Sequence, residues 1–203
     1  MINSLEQAAA RPVSRETFER LSAYVELLKS EATRQNLVSK SSLEHIWERH
    51  ILDSAQLLRF EPHAGSTWLD IGSGAGLPGI VIACLAEGPV TLLEPRRLRC
   101  EFLRHTIDAL GLTARVECTK VERIVGCFDI ITGRAVAPLS KFLEMSHHLS
   151  TENTVWILPK GRKAQSELAE AKRAWQGVFH VKPSVTGADS RIVVGTGVRT
   201  KIR

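Results

Sequence analysis

Between Asp70 and Gly79 the chain reads Asp-Ile-Gly-Ser-Gly-Ala-Gly-Leu-Pro-Gly, four glycines and a proline in ten residues, directly after the apolar run Thr67–Ile71. So dense a glycine turn between an apolar run and a helix-like segment predicts a tight β-α connection whose backbone N–H groups face outward at a helix N-terminus. Pro78 suits the first helical turn, where a missing N–H costs nothing. Asp70, at the carboxyl end of the strand, is placed to accept hydrogen bonds from a ligand amine. Glu94 ends the next predicted strand, 18 residues after Gly76, where a carboxylate meets both hydroxyls of an adenosine ribose.

The flanking pattern supplies the rest of the architecture. Ser14 caps a helix with an apolar stripe at Phe18, Leu21, Val25 and Leu28. Ser41 and Glu44 form a capping-box pattern ahead of Leu43, Ile46, Trp47, Ile51, Ser54, Leu57 and Leu58, and Pro62 and Gly65 end that region. Strands over Thr67–Ile71, Val90–Leu93, Ala114–Cys118, Phe128–Thr132 and Thr154–Leu158 then alternate with helices over Leu77–Ala86, Arg96–Leu110, Pro138–Leu149 and Arg162–Trp175. Two further β-like runs, Val178–Val185 and Arg191–Val198, are joined by the turn Thr186–Asp189 with no helix between them. The expected fold is α/β: a Rossmann-like, doubly wound, mostly parallel seven-stranded sheet with an antiparallel last strand. Residues 1–65 are expected to form an N-terminal helical cap and residues 66–203 the cofactor-binding domain, in one compact unit.

The formal charge is +5, and its placement says more than its size. Residues 1–65 sum to −1 and residues 66–150 to 0, whereas residues 151–203 carry 10 basic and 4 acidic side chains. A basic end holding Lys160, Arg162, Lys163, Lys172, Arg173, Lys182, Arg191, Arg199, Lys201 and Arg203 fits a phosphate backbone; the plainer reading is a solvated face with a basic tail. No apolar run approaches the ~20 residues of a membrane span, and Met1–Pro12 lacks the pattern of a secretory signal. The four cysteines, Cys84, Cys100, Cys118 and Cys127, show no metal-ligand spacing. They read as buried, reduced thiols of a cytosolic protein without a metal site. No heptad seam suggests an obligate dimer, so a monomer is expected.

Two cofactors compete for the glycine loop. Gly74-Ala-Gly-Leu-Pro-Gly79 matches the G-x-G-x-x-G dinucleotide pattern. Asp70 ahead of the loop and glycines alternating at 72, 74 and 76 better suit a ligand with a charged amino-acid head, because a carboxylate repels pyrophosphate and attracts an ammonium. S-adenosylmethionine is therefore preferred over NAD.

With these residues in view, the chain resembles the glucose-inhibited division protein B family, also called RsmG, S-adenosylmethionine-dependent guanine-N7 methyltransferases of small-subunit (16S) ribosomal RNA. The resemblance spans about Asn36 to Lys201. It rests on Asn36-Leu37, Arg49-His-Ile-Leu-Asp-Ser54, the loop Asp70–Gly79, Phe128-Asp-Ile-Ile-Thr-Gly-Arg-Ala135 and Pro159-Lys-Gly161. It implies a class I methyltransferase fold, contacts from Gly72 and Leu77 to the cofactor, Val121 and Glu122 beside its adenine, and Arg134 on the methyl-donor side. It also puts Arg49 and His50 on the substrate or cofactor-lid side; the plainer reading is that His50 caps a partly buried face and Arg49 is solvated. Asp53, one helical turn along, is placed to orient His50. Gly133 and Pro159 stand where the family usually has serine and leucine.

The chemistry of the target atom narrows the reaction. Methylating an exocyclic amine typically uses an Asn/Asp-Pro-Pro-aromatic loop after the fourth strand, where this chain has Gly133-Arg-Ala-Val136. Methylating a pyrimidine carbon usually needs a cysteine nucleophile, and no Pro-Cys loop is present. Guanine N7 already carries an in-plane lone pair, so positioning suffices and no acid-base residue is assigned. Arg134 and His50 are the positioning candidates; for Arg134 the competing reading is an ion pair with Asp129 or Glu122. Arg49, His50, Lys160, Arg162 and Lys163 are the candidate RNA contacts. The four tryptophans, at core-like spacings, read as packing. The rival functions are a NAD-dependent oxidoreductase and a non-catalytic RNA-binding assembly factor.

Overall fold

The computed structural model describes residues 1–201, apart from the side chains of Lys40 and Ser41. Seven strands form one sheet: β1 (Trp68–Ile71), β2 (Val90–Leu93), β3 (Ala114–Glu117), β4 (Ile130–Thr132), β5 (Val155–Lys160), β6 (Trp175–Pro183) and β7 (Arg191–Thr200), in the order β3-β2-β1-β4-β5-β7-β6. β1 to β5 run parallel, and β7 inserts antiparallel to both β5 and β6. That insertion departs from the 3-2-1-4-5-6 order of dinucleotide-binding sheets.

Period-two alternation sends successive side chains to opposite faces. Trp68, Ile130, Ile157 and Ile192 join one apolar cluster and Leu69, Ile131, Trp156 and Val193 the other. The first face is covered by α5 (Gly79–Leu85) and α6 (Arg97–Leu110), the second by α7 (Leu139–Ser146) and α8 (Ala164–Ala174). Gly111 ends α6 in the left-handed conformation, as its sequence position predicts. Trp68, Trp156 and Trp175 are buried and Trp47 stacks on Phe18 at 5.2 Å, so all four tryptophans pack. Cys84 and Cys100 are buried, but Cys118 and Cys127 are exposed, because one follows the end of β3 and the other lies in the loop before β4.

The N-terminal region differs most from expectation. A first helix, α1 (Ile2–Ala9), buries Leu5, Ala8 and Ala9 and carries no capping side chain that would announce it. α2 (Arg15–Glu31) begins as read, with the Ser14 hydroxyl accepting from Thr17 N at 3.0 Å. The second expected helix is broken into α3 (Lys40–Leu43), a π-helical turn (Trp47–Leu52), α4 (Asp53–Ala55) and a 3-10 stretch (Gln56–Phe60). Its cap is Ser39; the Ser41 side chain and Arg203 lie outside the described residues. Ser54 donates to the His50 carbonyl at 2.6 Å, a side-chain bond of the kind that competes with the helical ladder. α2 packs on α5 and α6, and its Tyr24 hydroxyl donates to Ala75 O at 2.9 Å inside the glycine loop. Tyr24→Phe leaves that buried carbonyl unpaired, so a loss of about 1–2 kcal/mol is expected in denaturant unfolding. No described helix is long and apolar enough to cross a membrane.

Candidate active site

At the carboxyl edge of β1 the chain doubles back, and Gly72 N and Ser73 N donate to Leu93 O at 2.8 and 3.1 Å. Gly72 has φ +70°, and an added Cβ would lie 2.9 Å from Val136 Cγ2. Gly74 has φ +57°, but an added Cβ would stand in open contact, 3.6 Å from Arg99 Nη1. Both positions require glycine conformationally, and only the first also for space. The Glu94 carboxylate, 3% exposed, accepts from Gly74 N at 3.0 Å and from Arg96 N at 2.9 Å, with Arg99 Nη1 at 3.8 Å. Each of its oxygens keeps a lone pair for a diol. Gly72, Gly74, Leu77, Glu94 and Arg134 line one cleft of about 510 Å³, together with Leu37, Val38 and Arg99.

Other expected cofactor residues stand back from this cleft. Asp70 lies beneath the loop and accepts from Gly79 N at 3.0 Å, while its Oδ1 is buried without a partner. Burial pushes its carboxyl up to about 7, against the opposing pull of Ser73, Gly79 and Arg134. Gly76 serves packing, since an added Cβ would sit 2.5 Å from Ile80 Cγ1. Val121 is buried and Glu122 exposed on a 3-10 turn, and neither lines the cleft.

A second cleft of about 470 Å³ opens beside the first, lined by Asp53, Arg134–Pro138, Pro159–Gly161, Glu167, Ser190 and Arg191. Arg134, Ala135 and Val136 line both clefts and form their common wall. Ala135 holds φ +58° without being glycine, a conformation that costs roughly 1–2 kcal/mol. Arg134 Nη1 lies 3.5 Å from both Asp53 Oδ2 and Arg49 O. The alternative partners from sequence do not hold it: Asp129 is bound to Thr67 N and Oγ1, both at 2.8 Å, and Glu122 is exposed.

Around the second cleft the basic residues divide. Lys160 Nζ is tied to Glu167 Oε2 at 2.9 Å and Ala137 O at 2.8 Å, so it braces the wall. Arg162 pairs with Asp189 at 2.6 Å in the open, and Arg49 and Lys163 are exposed. Such surface pairs are worth ~0–1 kcal/mol and exchange readily for a phosphate. Arg191, which the sequence shows only as one charge among ten, is placed at the cleft itself.

His50 and Asp53 do not form the pair expected of them. The Asp53 carboxylate is engaged by Arg134, Gln56 and Thr186, and both His50 ring nitrogens are buried with no hydrogen-bond partner. Burial, then the Arg134 guanidinium, pushes the imidazole down to about 4, so it is neutral at pH 7. Between pH 4 and 6.5 the unfolded chain binds this proton and the native chain does not, so the His50 contribution to stability falls as pH drops through that window. Asp70 acts oppositely, holding a native proton up to about 7, so residue-specific titration is the informative readout. NMR is expected to show a His50 midpoint near 4; a midpoint near 6.5 would contradict the burial.

A 3-2-1-4-5-7-6 sheet with a glycine-loop cleft closed by an acid at the end of β2 defines a class I methyltransferase, the S-adenosylmethionine-dependent kind. A solved S-adenosylmethionine-dependent methyltransferase from Aquifex aeolicus superposes with TM-score 0.60 at 16% identity, covering 78% of this chain and 98% of that one, a likeness of fold. The chain belongs to a particular family of that class: the profile described as rRNA small subunit methyltransferase G matches residues 17–192. Proteins named ribosomal RNA small subunit methyltransferase G from Zymomonas mobilis and Erythrobacter litoralis are 44% and 45% identical to it. They match over 93% and 97% of this chain and 90% and 98% of their own lengths.

Proposed function

We propose that the chain transfers a methyl group from S-adenosylmethionine to N7 of a guanine in 16S ribosomal RNA. The observation that carries this reading is the common wall Arg134–Val136, which brings the glycine-loop cleft and the second cleft, lined by Lys160 and Arg191, into contact over three residues. Glu94 would hold the ribose, Gly72, Gly74 and Leu77 would admit the cofactor backbone, and Asp70 would brace the loop from beneath by accepting from Gly79 N. When bound, the cofactor supplies an electrophilic sulfonium methyl group.

The protein's own contribution is placement. Arg134 would orient guanine at the junction, and Arg49, Arg162, Lys163 and Arg191 would seat the RNA backbone. His50, neutral and unpartnered, suits apolar contact rather than proton transfer, in keeping with an N7 lone pair that needs no base. Because the major groove of A-form RNA is too narrow for side chains, the target guanine would lie in a loop or be extruded. The experiment is methyl transfer from labelled S-adenosylmethionine to small ribosomal subunits lacking this modification, followed by nucleoside mass spectrometry. 7-Methylguanosine is expected. Tight subunit binding without methyl product would instead favour a non-catalytic assembly factor.

A further inference from the structure

We propose that Gln56 and Thr186 are positioning residues for Arg134, acting through the Asp53 carboxylate; this rests on the reading that Arg134 orients the substrate. Asp53 Oδ1 accepts from Gln56 Nε2 at 2.8 Å and from the Thr186 hydroxyl at 2.8 Å. Its second oxygen is thereby turned to Arg134 Nη1 at 3.5 Å. Gln56 is 1% exposed and bridges two distant parts of the chain: its Oε1 accepts from Val185 N at 2.8 Å, and its Nε2 also donates to Ser184 Oγ at 2.9 Å. The amide orientation follows from chemistry, because a backbone N–H can only donate and an ionised carboxylate can only accept.

The β6–β7 turn is thus fastened to the irregular helical region, and a long, flexible arginine is anchored where the two clefts meet. A hydrophobe of similar volume would fill the Gln56 site without needing these three partners, so a buried amide there points to a requirement for direction. Side chains that reach well-defined geometry only with outer partners are the ones whose rates fall when those partners are removed. The other charged or titratable groups acting on Arg134 or on its neighbour His50 are Arg49 on the π turn, Asp70 on β1 and Tyr24 on α2. His50, with its proton lost near 4, stays silent between pH 6 and 8.5, whereas Asp70, which holds its proton up to about 7, titrates inside that window in wild type and variants alike, so each variant is read as a ratio to the wild type at the same pH.

Two variants test this, each assayed on modification-free small subunits beside the wild type. Thr186→Val removes one donor from a half-exposed turn; kcat is expected to fall about tenfold, with RNA KM, S-adenosylhomocysteine Kd and melting temperature nearly unchanged. Gln56→Glu sets a second carboxylate against Asp53. At pH 8.5 the two repel and kcat falls; by pH 6 a proton shared between them restores the missing donor, so this variant alone regains rate relative to the wild type as pH is lowered. Variants within twofold of wild-type kcat at every pH, or a loss confined to cofactor affinity, would overturn the proposal. Should Gln56→Glu fail to fold, Thr186→Val decides. An inactive wild type would defeat the functional reading, and the positioning claim with it.

Discussion

Gly74→Leu is expected to weaken S-adenosylhomocysteine binding by about a hundredfold or more, roughly 3 kcal/mol or above, while the protein stays folded. The added Cβ meets Arg99 Nη1 at 3.6 Å and Gly72 O at 3.8 Å, both ordinary contacts, so the side chain has room, and that room is the cleft. Holding leucine at φ +57° costs roughly 1–2 kcal/mol, a shift of several degrees in melting temperature for a chain of this size. Gly76→Leu provides the contrast: its Cβ would sit 2.5 Å from Ile80 Cγ1 and 3.1 Å from Leu103 Cδ2, inside the core. That variant is expected to lose its fold, not merely its ligand. Calorimetric titration and thermal melts separate the two outcomes, and unchanged affinity in folded Gly74→Leu would remove the loop from the cofactor site.

Arg134→Ala is expected to lower kcat by about 10²–10³, the cost of deleting a single preorganised donor from a reacting centre. Folding should survive, because Asp53 retains Gln56 and Thr186 as hydrogen-bond partners when the guanidinium is gone. Arg134→Lys is expected to recover little, since a compact ammonium on a differently shaped stem lacks the planar guanidinium whose Nη1 meets both Asp53 Oδ2 and the Arg49 carbonyl. Single-turnover kinetics at saturating cofactor reads the step directly. Near-normal rates in Arg134→Ala would reassign the residue to packing.

The sheet and its loop were legible because short apolar runs bounded by glycine, proline and acidic residues admit few alternatives. The strand Val90–Leu93 and the stop at Gly111 follow from local chemistry alone. The region from Ser39 to Phe60 was not, because its breaks arise where side-chain hydroxyls compete with the backbone ladder, and apolar periodicity registers no such competition. α1 escaped notice for a related reason: an uncapped eight-residue helix is held by the core it meets. Asp70 was correctly placed at a strand end, but a sequence does not say whether that end faces a cleft or the N-terminus of α5. Arg134 was singled out, whereas its partner Asp53, 81 residues earlier, was assigned to His50 instead. Helical spacing offers near neighbours; only tertiary structure offers distant ones. Lys160 and Glu167 could have been paired from sequence, since a strand-end lysine lies close to the first turn of the following helix.

The central claim concerns one atom, N7, and 7-methylguanosine is a cationic nucleoside whose ring can be reduced and the strand then cleaved at that position. The most direct measurement is therefore borohydride reduction and aniline cleavage of 16S RNA from modification-free small subunits, with and without prior incubation with this protein and S-adenosylmethionine. A single new break at a guanine, absent when cofactor is omitted and strongly reduced with Arg134→Ala, is the expected result. Methyl incorporation with no such break would place the methyl group on another atom and contradict the assignment of N7.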